Sequence, residues 1–469
     1  MSGLTENIQH IQELIVRSRE AQSKIEHYTQ AQVDQLIRAM VWAVAQPGAA
    51  EEISEFAVEE TRLGDYAGKL GKMAGKCRAA LAEIIDDQSV DIVEVDEVNQ
   101  ITKIAKPMGI VGALTPTTHP EASPVIKAIS AIKGRNAIVI APHPRAKKTC
   151  QLVCEKMRDA LESVGAPRDL VLNVCEPSLE GTAELMKLCD VVLATGGAPM
   201  VKAAYSSGTP AFGVGAGNAV ITVDESADLD FTTAKILMSK TFDLATSCSS
   251  DNAVIALEPV YEDLLLKLQA AGGYLVQGDE YEKLKSALWV DGHLNPEIIA
   301  QSASRIGEIA GLNIPAEKTF IIVPETGYGK EFPFSGEKLS VVMAYYKVSD
   351  LDAAIELTNQ IQSYSGYGHS CGLYTQTDAN VDRFALNTRT SRVMINQPQA
   401  NSNSGALWNG MPQTFSLGCG SWGGNITTDN ITWRNLVNIT WVSRELPVHK
   451  TIPGDDELFG ALPGYSSAT

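Results

Sequence analysis

Cys248 stands in SKTFDLATSCSSDN (residues 239–252), with Thr246, Ser247, Ser249, Ser250 and Asn252 around it. A core thiol is usually ringed by apolar side chains; this one is ringed by hydroxyls, an amide and an acid. Two uses stay open for it. It is a packed thiol, or it is a nucleophile held in an open site, where sulfur adds to a carbonyl carbon and later leaves from a thioester. A second stretch with chemical possibilities is DVVLATGGAPMVKAAYSSG (190–208). Thr195, Gly196 and Gly197 lie between an apolar run and a helical pattern, so free backbone N–H groups there suit a pyrophosphate. The turn is not the GxGxxG fingerprint, and a purely structural turn has the same composition. FGVGAGN (212–218) is also glycine-rich and reads as a close backbone approach beneath a site.

The elements that must hold these residues follow from pattern. Residues 4–85 carry apolar positions three or four apart, the mark of helices. From 90 to 114 the pattern alternates, which predicts an extended hairpin leading into a strand. Strand-like and helix-like segments then take turns: NAIVIAPHP, TCQLVCEKMRDALESVG, DLVLNVCEP, SLEGTAELMKLC, DVVLATGG and PMVKAAYSSG. Such a βαβ series predicts an α/β fold with a parallel sheet covered on both faces, and dinucleotides bind at glycine turns in such sheets. A second mixed region runs from about 241 to 424, and ITWRNLVNITWVS near the end alternates like a strand.

The chain has 469 residues, enough for two or three domains, and a net charge of −18. That charge disfavours nucleic acid and anionic membrane, so an anionic substrate must meet a local positive site. The eight cysteines (77, 150, 154, 175, 189, 248, 371, 419) form no CxxC pair and none has a histidine at metal-ligand spacing. Reduced thiols and no bound metal are expected. With no apolar signal core and no long apolar run, the expected location is the cytoplasm.

Seven stretches resemble, in order, the CoA-acylating branch of the aldehyde dehydrogenase superfamily. They are KPMGIVGALTPTTHP, IVIAPHPRAKKT, ATGGAPMVKAAYSSGTPAFGVGAGN, SKTFDLATSCSSDN, GEKLSVVMAYY, SGYGHS and LGCGSWGGN, spanning about residues 100–425. The resemblance implies a Rossmann-type cofactor domain over 1–240 with an oligomerisation hairpin near 88–106. It further implies a catalytic domain over 241–424 and a C-terminal oligomerisation strand and tail over 425–469. It makes Cys248 the nucleophile that forms a thiohemiacetal, then an acyl-enzyme after hydride passes to NADP or NAD. The chemistry asks for a thiol pKa below its usual value and for donors to the oxyanion.

Hydrolytic members carry a glutamate in an ELGG stretch about 35 residues before the cysteine, and this chain has Gly213 there. The implied acyl acceptor is therefore coenzyme A, with His369 taking the thiol proton. Glu337 is implied to hold the nicotinamide ribose. Thr115, Thr118, His143, Arg145, Thr195, Gly196, Gly197 and Gly213 complete the implied cofactor site. Lys147 and Lys148 extend a basic cluster compatible with the 2′-phosphate of NADP. The branch usually reads PTTNP where this chain reads PTTHP, so His119 leaves the side-chain oxyanion donor open, with the Cys248 backbone N–H as a candidate. ATSCSSDN and NGMPQTFSLGCGSWGGN most resemble acylating sulfoacetaldehyde dehydrogenases, which implies a small anionic aldehyde. Succinic semialdehyde and acetaldehyde are the alternatives, and a non-catalytic dinucleotide-binding assembly protein is a remote one. Thr246, Ser247, Ser249 and His119 are the expected substrate contacts, with Ser250, Asn252 and one of Arg389, Arg392 or Arg434 as further candidates. A homodimer or homotetramer is expected.

Overall fold

A computed structural model describes residues 2–466. Helices Ser2–Ile25, Gln30–Ala45 and Ala49–Thr61 open the chain, as the periodicity predicts. The second begins at a reciprocal cap: the Thr29 hydroxyl takes the Gln32 N–H, and the Gln32 side chain takes the Thr29 N–H. Between helices Tyr66–Leu70 and Cys77–Ile84 the backbone widens into a π-helical turn at Gly71–Lys76. Such turns insert an extra residue and re-aim side chains, often at functional sites.

A five-stranded parallel sheet follows. Its spatial order is Val171–Asn173, Ala137–Pro142, Ile110–Thr115, Val191–Thr195, Ala211–Val214. The first strand in sequence lies in the middle, so the crossovers diverge on either side of it. The crevice at such a switch point, beyond the strand carboxyl ends, is where ligands bind in doubly wound sheets. Thr115 and Thr195 end the two strands that flank it. The strands Ile110–Thr115 and Ala137–Pro142 are buried throughout, as a sheet covered on both faces requires.

The second sheet has seven parallel strands, in the order Gly273–Leu275, Phe320–Pro324, Val342–Val348, Asp251–Leu257, Ala219–Val223, Cys371–Tyr374, Val393–Ile395. The strand Ala219–Val223 lies inside this sheet, so the chain changes sheet between 214 and 219. Helix Leu229–Thr241 then packs on helix Glu258–Ala270 of the same layer.

A third sheet joins the hairpin Asp91–Asp96/Ile101–Pro107 to the late strand Val437–Ser443, antiparallel on both sides of Ile101–Pro107. Only the second half of the alternating ITWRNLVNITWVS is strand; Trp433–Asn435 forms a tight turn, with Trp433 buried in the first core. Among the described residues no helix is long and apolar enough to cross a membrane.

Candidate active site

One cavity of about 600 Å³ runs from the switch point of the first sheet to the loop ahead of the strand Asp251–Leu257. Of the residues expected from sequence, it is lined by Thr115, Thr118, His119, His143, Thr195, Gly196, Gly197, Thr246, Ser247, Cys248, Ser249 and Glu337. Segments more than 200 residues apart thus meet at one wall. Gly213, Arg145 and His369 do not line it.

At the far end from the thiol, no described hydrogen bond takes up the N–H of Gly196 or Gly197. Unpaired donors on a turn before helix Ala198–Tyr205 fit the pyrophosphate of a dinucleotide. His143 lines this end, with Nδ1 accepting the Arg145 N–H at 3.2 Å. Lys147 is paired to Glu176, so the basic cluster is thinner than its sequence suggests.

Cys248 is partly exposed, in contrast to six buried cysteines among the other seven. Its backbone packs on Gly217, where an added Cβ would come within 1.9 Å of the Cys248 carbonyl oxygen. Only glycine permits that approach, which gives the GVGAG stretch its purpose. No described hydrogen bond uses the Cys248 N–H, so it remains available as an oxyanion donor. Burial, together with Glu337 and Cys419, pushes the thiol up to about 12, while Ser249 and Arg392 pull the other way. The protein's own groups around Cys248 therefore do not lower the thiol pKa as the chemistry asks. Glu337 is itself raised to about 8 by burial, against the Gly217 N–H that it accepts at 3.2 Å. In the free protein, labelling of Cys248 by iodoacetamide should be slow at neutral pH and climb steadily across about pH 7–10. A plateau below about pH 8 would show that the thiolate is already formed.

The loop leading to Cys248 is held in an unusual shape. Asp243, Leu244 and Ala245 all have positive φ (48°, 50° and 62°). Each left-handed non-glycine residue costs about 1–2 kcal/mol. The compensation is a buried charge cluster. The Asp243 carboxylate accepts from the Asp65 N–H at 2.9 Å, from the Thr246 hydroxyl at 2.6 Å and from Lys72, with Lys69 at 3.1 Å. Glu121 faces the same two lysines at 3.2 and 3.8 Å. Burial pulls Lys72 down, but Asp243 and Glu121 outweigh it and its pKa is raised. Burial pushes Asp243 up, but Lys72 and Lys69 outweigh it and hold the carboxyl below the usual range. Both are charged.

Several expected contacts prove to be committed elsewhere. Thr246 spends its hydroxyl on Asp243, and Asn252 bonds the Ser250 carbonyl and the Lys338 N–H. Arg392 is a buried staple, donating to Asn430 and to the carbonyls of His369, Gly418, Thr428 and Asp429. Arg389 bonds the Tyr367 hydroxyl and Arg434 pairs with Asp87. None of the three arginines reaches the cavity. His369 is fully buried, its Nδ1 at 2.9 Å from the Ser370 hydroxyl and its Nε2 without a partner. Burial, helped by Arg392, pulls it down to about 3, so the ring is neutral. Gly213 points away from the thiol: an added Cβ would sit 2.6 Å from both the Tyr205 ring and Val201. Neither carboxylate nor water can be placed there without moving Tyr205, whose hydroxyl takes the Gly213 N–H at 2.9 Å. Among the described residues Glu337 is the one carboxylate lining the cavity.

The aldehyde dehydrogenase family model matches residues 5–289. The chain belongs to the aldehyde dehydrogenase family. It is 43% identical over 452 residues to the sulfoacetaldehyde dehydrogenase of an Acholeplasma species, covering 95% of this chain and 93% of that one. It is 38% identical to the acylating sulfoacetaldehyde dehydrogenase of Cupriavidus necator, covering 95% and 91%. The crystal structure of an acetylating aldehyde dehydrogenase from Geobacillus thermoglucosidasius superposes with a TM-score of 0.91 at 35% identity, covering 96% and 99%. This aldehyde dehydrogenase therefore sits in the acylating branch, with the fold expected from its sequence. Reasoning from sequence missed Lys69, Lys72, Glu121 and Asp243. The one available signal was the lysine spacing at 69, 72 and 76, which reads as a solvated helix face until the burial of Lys69 and Lys72 and the half-burial of Lys76 are seen.

Proposed function

We propose that this acylating enzyme oxidises a small anionic aldehyde, sulfoacetaldehyde first, to its CoA thioester with NADP or NAD as oxidant. The 43% identity to a protein named sulfoacetaldehyde dehydrogenase carries the choice of substrate. Thr115, Thr195, Gly196, Gly197, His143 and Glu337 would hold the dinucleotide, which when bound supplies the hydride acceptor. Thr118 and the thiol-side hydroxyls of Ser247 and Ser249 would face the aldehyde. Addition of Cys248 to the aldehyde carbon moves negative charge from sulfur to oxygen, where the Cys248 N–H waits. After oxidation the acyl group rests on Cys248 as a thioester. With no side chain at Gly213 to activate water, that thioester persists until a better nucleophile arrives. His369 is proposed, from its motif, to take the CoA thiol proton; buried, off the cavity wall and held neutral, it would have to be uncovered when CoA binds, and its unpartnered Nε2 is a cost that such a role would explain. The hairpin and late strand, with Ile92, Val95 and Trp441 exposed, are proposed to meet further copies of the chain in a cytoplasmic homodimer or homotetramer.

Without CoA the enzyme should release about one reduced cofactor per active site and then nearly stop. Sustained free acid without CoA would show that another group, with Glu337 the nearest candidate, activates water. His369→Ala should keep the burst and slow only the CoA-dependent phase. At fixed CoA, kcat/KM should fall in the order sulfoacetaldehyde, succinic semialdehyde, acetaldehyde. A preference for acetaldehyde would sink the anionic substrate, and a preference for succinic semialdehyde would keep the anion and lose the sulfonate.

A further inference from the structure

With Thr246, Asn252 and the three arginines committed elsewhere, the Ser247 and Ser249 hydroxyls remain on the thiol side, and a further donor for an anion stands on another wall of the cavity. Thr118, His119, Ser404 and Phe415 form that wall. Behind it stand three lysines from one stretch of chain, brought side by side by the π-helical turn Gly71–Lys76. Each clips a different piece of the wall. Lys69 donates to the Thr118 carbonyl at 2.8 Å, Lys72 to His119 Nδ1 at 2.8 Å, and Lys76 to the Ser404 carbonyl at 2.6 Å.

The Lys72 contact decides which nitrogen of His119 carries the proton. An ammonium has three donors and no acceptor, so Nδ1 must be the acceptor and Nε2 must hold the hydrogen. Lys72 stays an ammonium because Asp243 and Glu121 flank it. The ring lies parallel to Phe415, centroids 5.0 Å apart and planes 14° apart, so its plane is fixed as well. His119 is 94% buried, since only 6% of it is exposed. Its Nε2 meets no acceptor among the described residues, and it is not among the fully enclosed polar atoms. It faces the cavity.

Resting on the reading of Cys248 as the acylation site, we infer that His119 Nε2–H, polarised by Lys72, receives the anionic end of the aldehyde. The ligand class is a short aldehyde ending in a sulfonate or carboxylate. His119 is kept neutral by burial and by Lys72 and Lys69, so it serves as a fixed donor and not as a titrating charge. Lys76 is held by three acceptors, the Ser404 and Gly405 carbonyls and the Gln413 side-chain oxygen, and burial pulls it down to about 7. Asp243 and Glu121 balance Lys69 and Lys72, so what the row gives the wall is the oriented Nε2–H of His119.

The test compares kcat/KM for sulfoacetaldehyde and for butanal on the same preparations of wild type, His119→Ala and Lys76→Met. A ratio between two substrates cancels losses from misfolding. Losing a hydrogen bond to a charged group is worth about 10- to 100-fold, so the ratio should fall by that much in His119→Ala, mostly through KM. It should also fall, less steeply, in Lys76→Met. An equal loss of kcat on both aldehydes would overturn the inference and make His119 a donor to the reacting oxygen. An unchanged ratio would overturn it as well. Nitrogen NMR of histidine-labelled wild type, with the His119 signals assigned by their absence in His119→Asn, should show the proton on Nε2; a proton on Nδ1 overturns the inference without any kinetics. A wild type that gives no burst with any aldehyde would overturn the reading of Cys248 and this one together, whereas a burst with an unmoved ratio overturns this one alone.

Discussion

Cys248→Ala should abolish aldehyde oxidation, with a loss of about 10³-fold or more, while the affinity for the dinucleotide changes little. The size follows from removing the atom that forms the covalent bond, for which no neighbour substitutes. Six of the other seven cysteines are buried, Cys175 is exposed, and none of the seven lines the cavity. The end of the cavity proposed to hold the dinucleotide is lined by the Thr195–Gly197 turn and His143, which the substitution leaves alone. Mass spectrometry of wild type, given aldehyde and oxidant without CoA, should find the acyl group on Cys248. Turnover of more than a few per cent in the variant, or an acyl group on another residue, would refute the mechanism.

The second large effect is on stability. Asp243→Ala leaves Lys69 and Lys72 with only Glu121 as counter-charge in a site closed to water. Breaking a buried pair from one side costs about 3–5 kcal/mol, which is about 10 °C in Tm for a domain of this size. The same change frees a loop whose three left-handed residues have no other restraint of comparable strength. Because the fold depresses the Asp243 carboxyl, its contribution is complete above the unfolded value of about 3.9 and is lost only as pH falls below it. The gap in Tm between wild type and variant should therefore be the same at about pH 6 and about pH 8. A gap of less than about 2 °C would show that the cluster relaxes without Asp243.

What the sequence made legible was local. A βαβ rhythm, a glycine turn after an apolar run and a thiol among hydroxyls are short-range patterns, and the residues they mark line one cavity. What it hid depends on long-range partners. Lys72 meets Asp243 across 171 residues and Lys76 meets Ser404 across 328. No spacing rule links such positions. The hydroxyls at 246–252 were legible as donors, but whether a donor faces a cavity or its own loop depends on acceptors elsewhere in the chain. The same applies to Gly213: its type excludes a base, yet only the packing of Tyr205 and Val201 shows that its side-chain direction leads away from the thiol.

The late strand Val437–Ser443 also constrains the order of events on the ribosome. It completes the pairing of Ile101–Pro107, a partner about 330 residues upstream, and Trp433, Leu436 and Val437 fill the first core. The cofactor half of the molecule is therefore synthesised long before it can close. Until residue 443 emerges, Ile101–Pro107 presents an open strand edge, and gaps remain in the apolar core beside it. Neighbouring nascent chains on one message carry the same edge and, a little later, the same missing strand. Exchange of that strand between copies competes with closure within one chain, and the outcome depends on how densely the message is translated. A holdase that covers the edge until this last paired strand arrives should raise the yield of soluble enzyme.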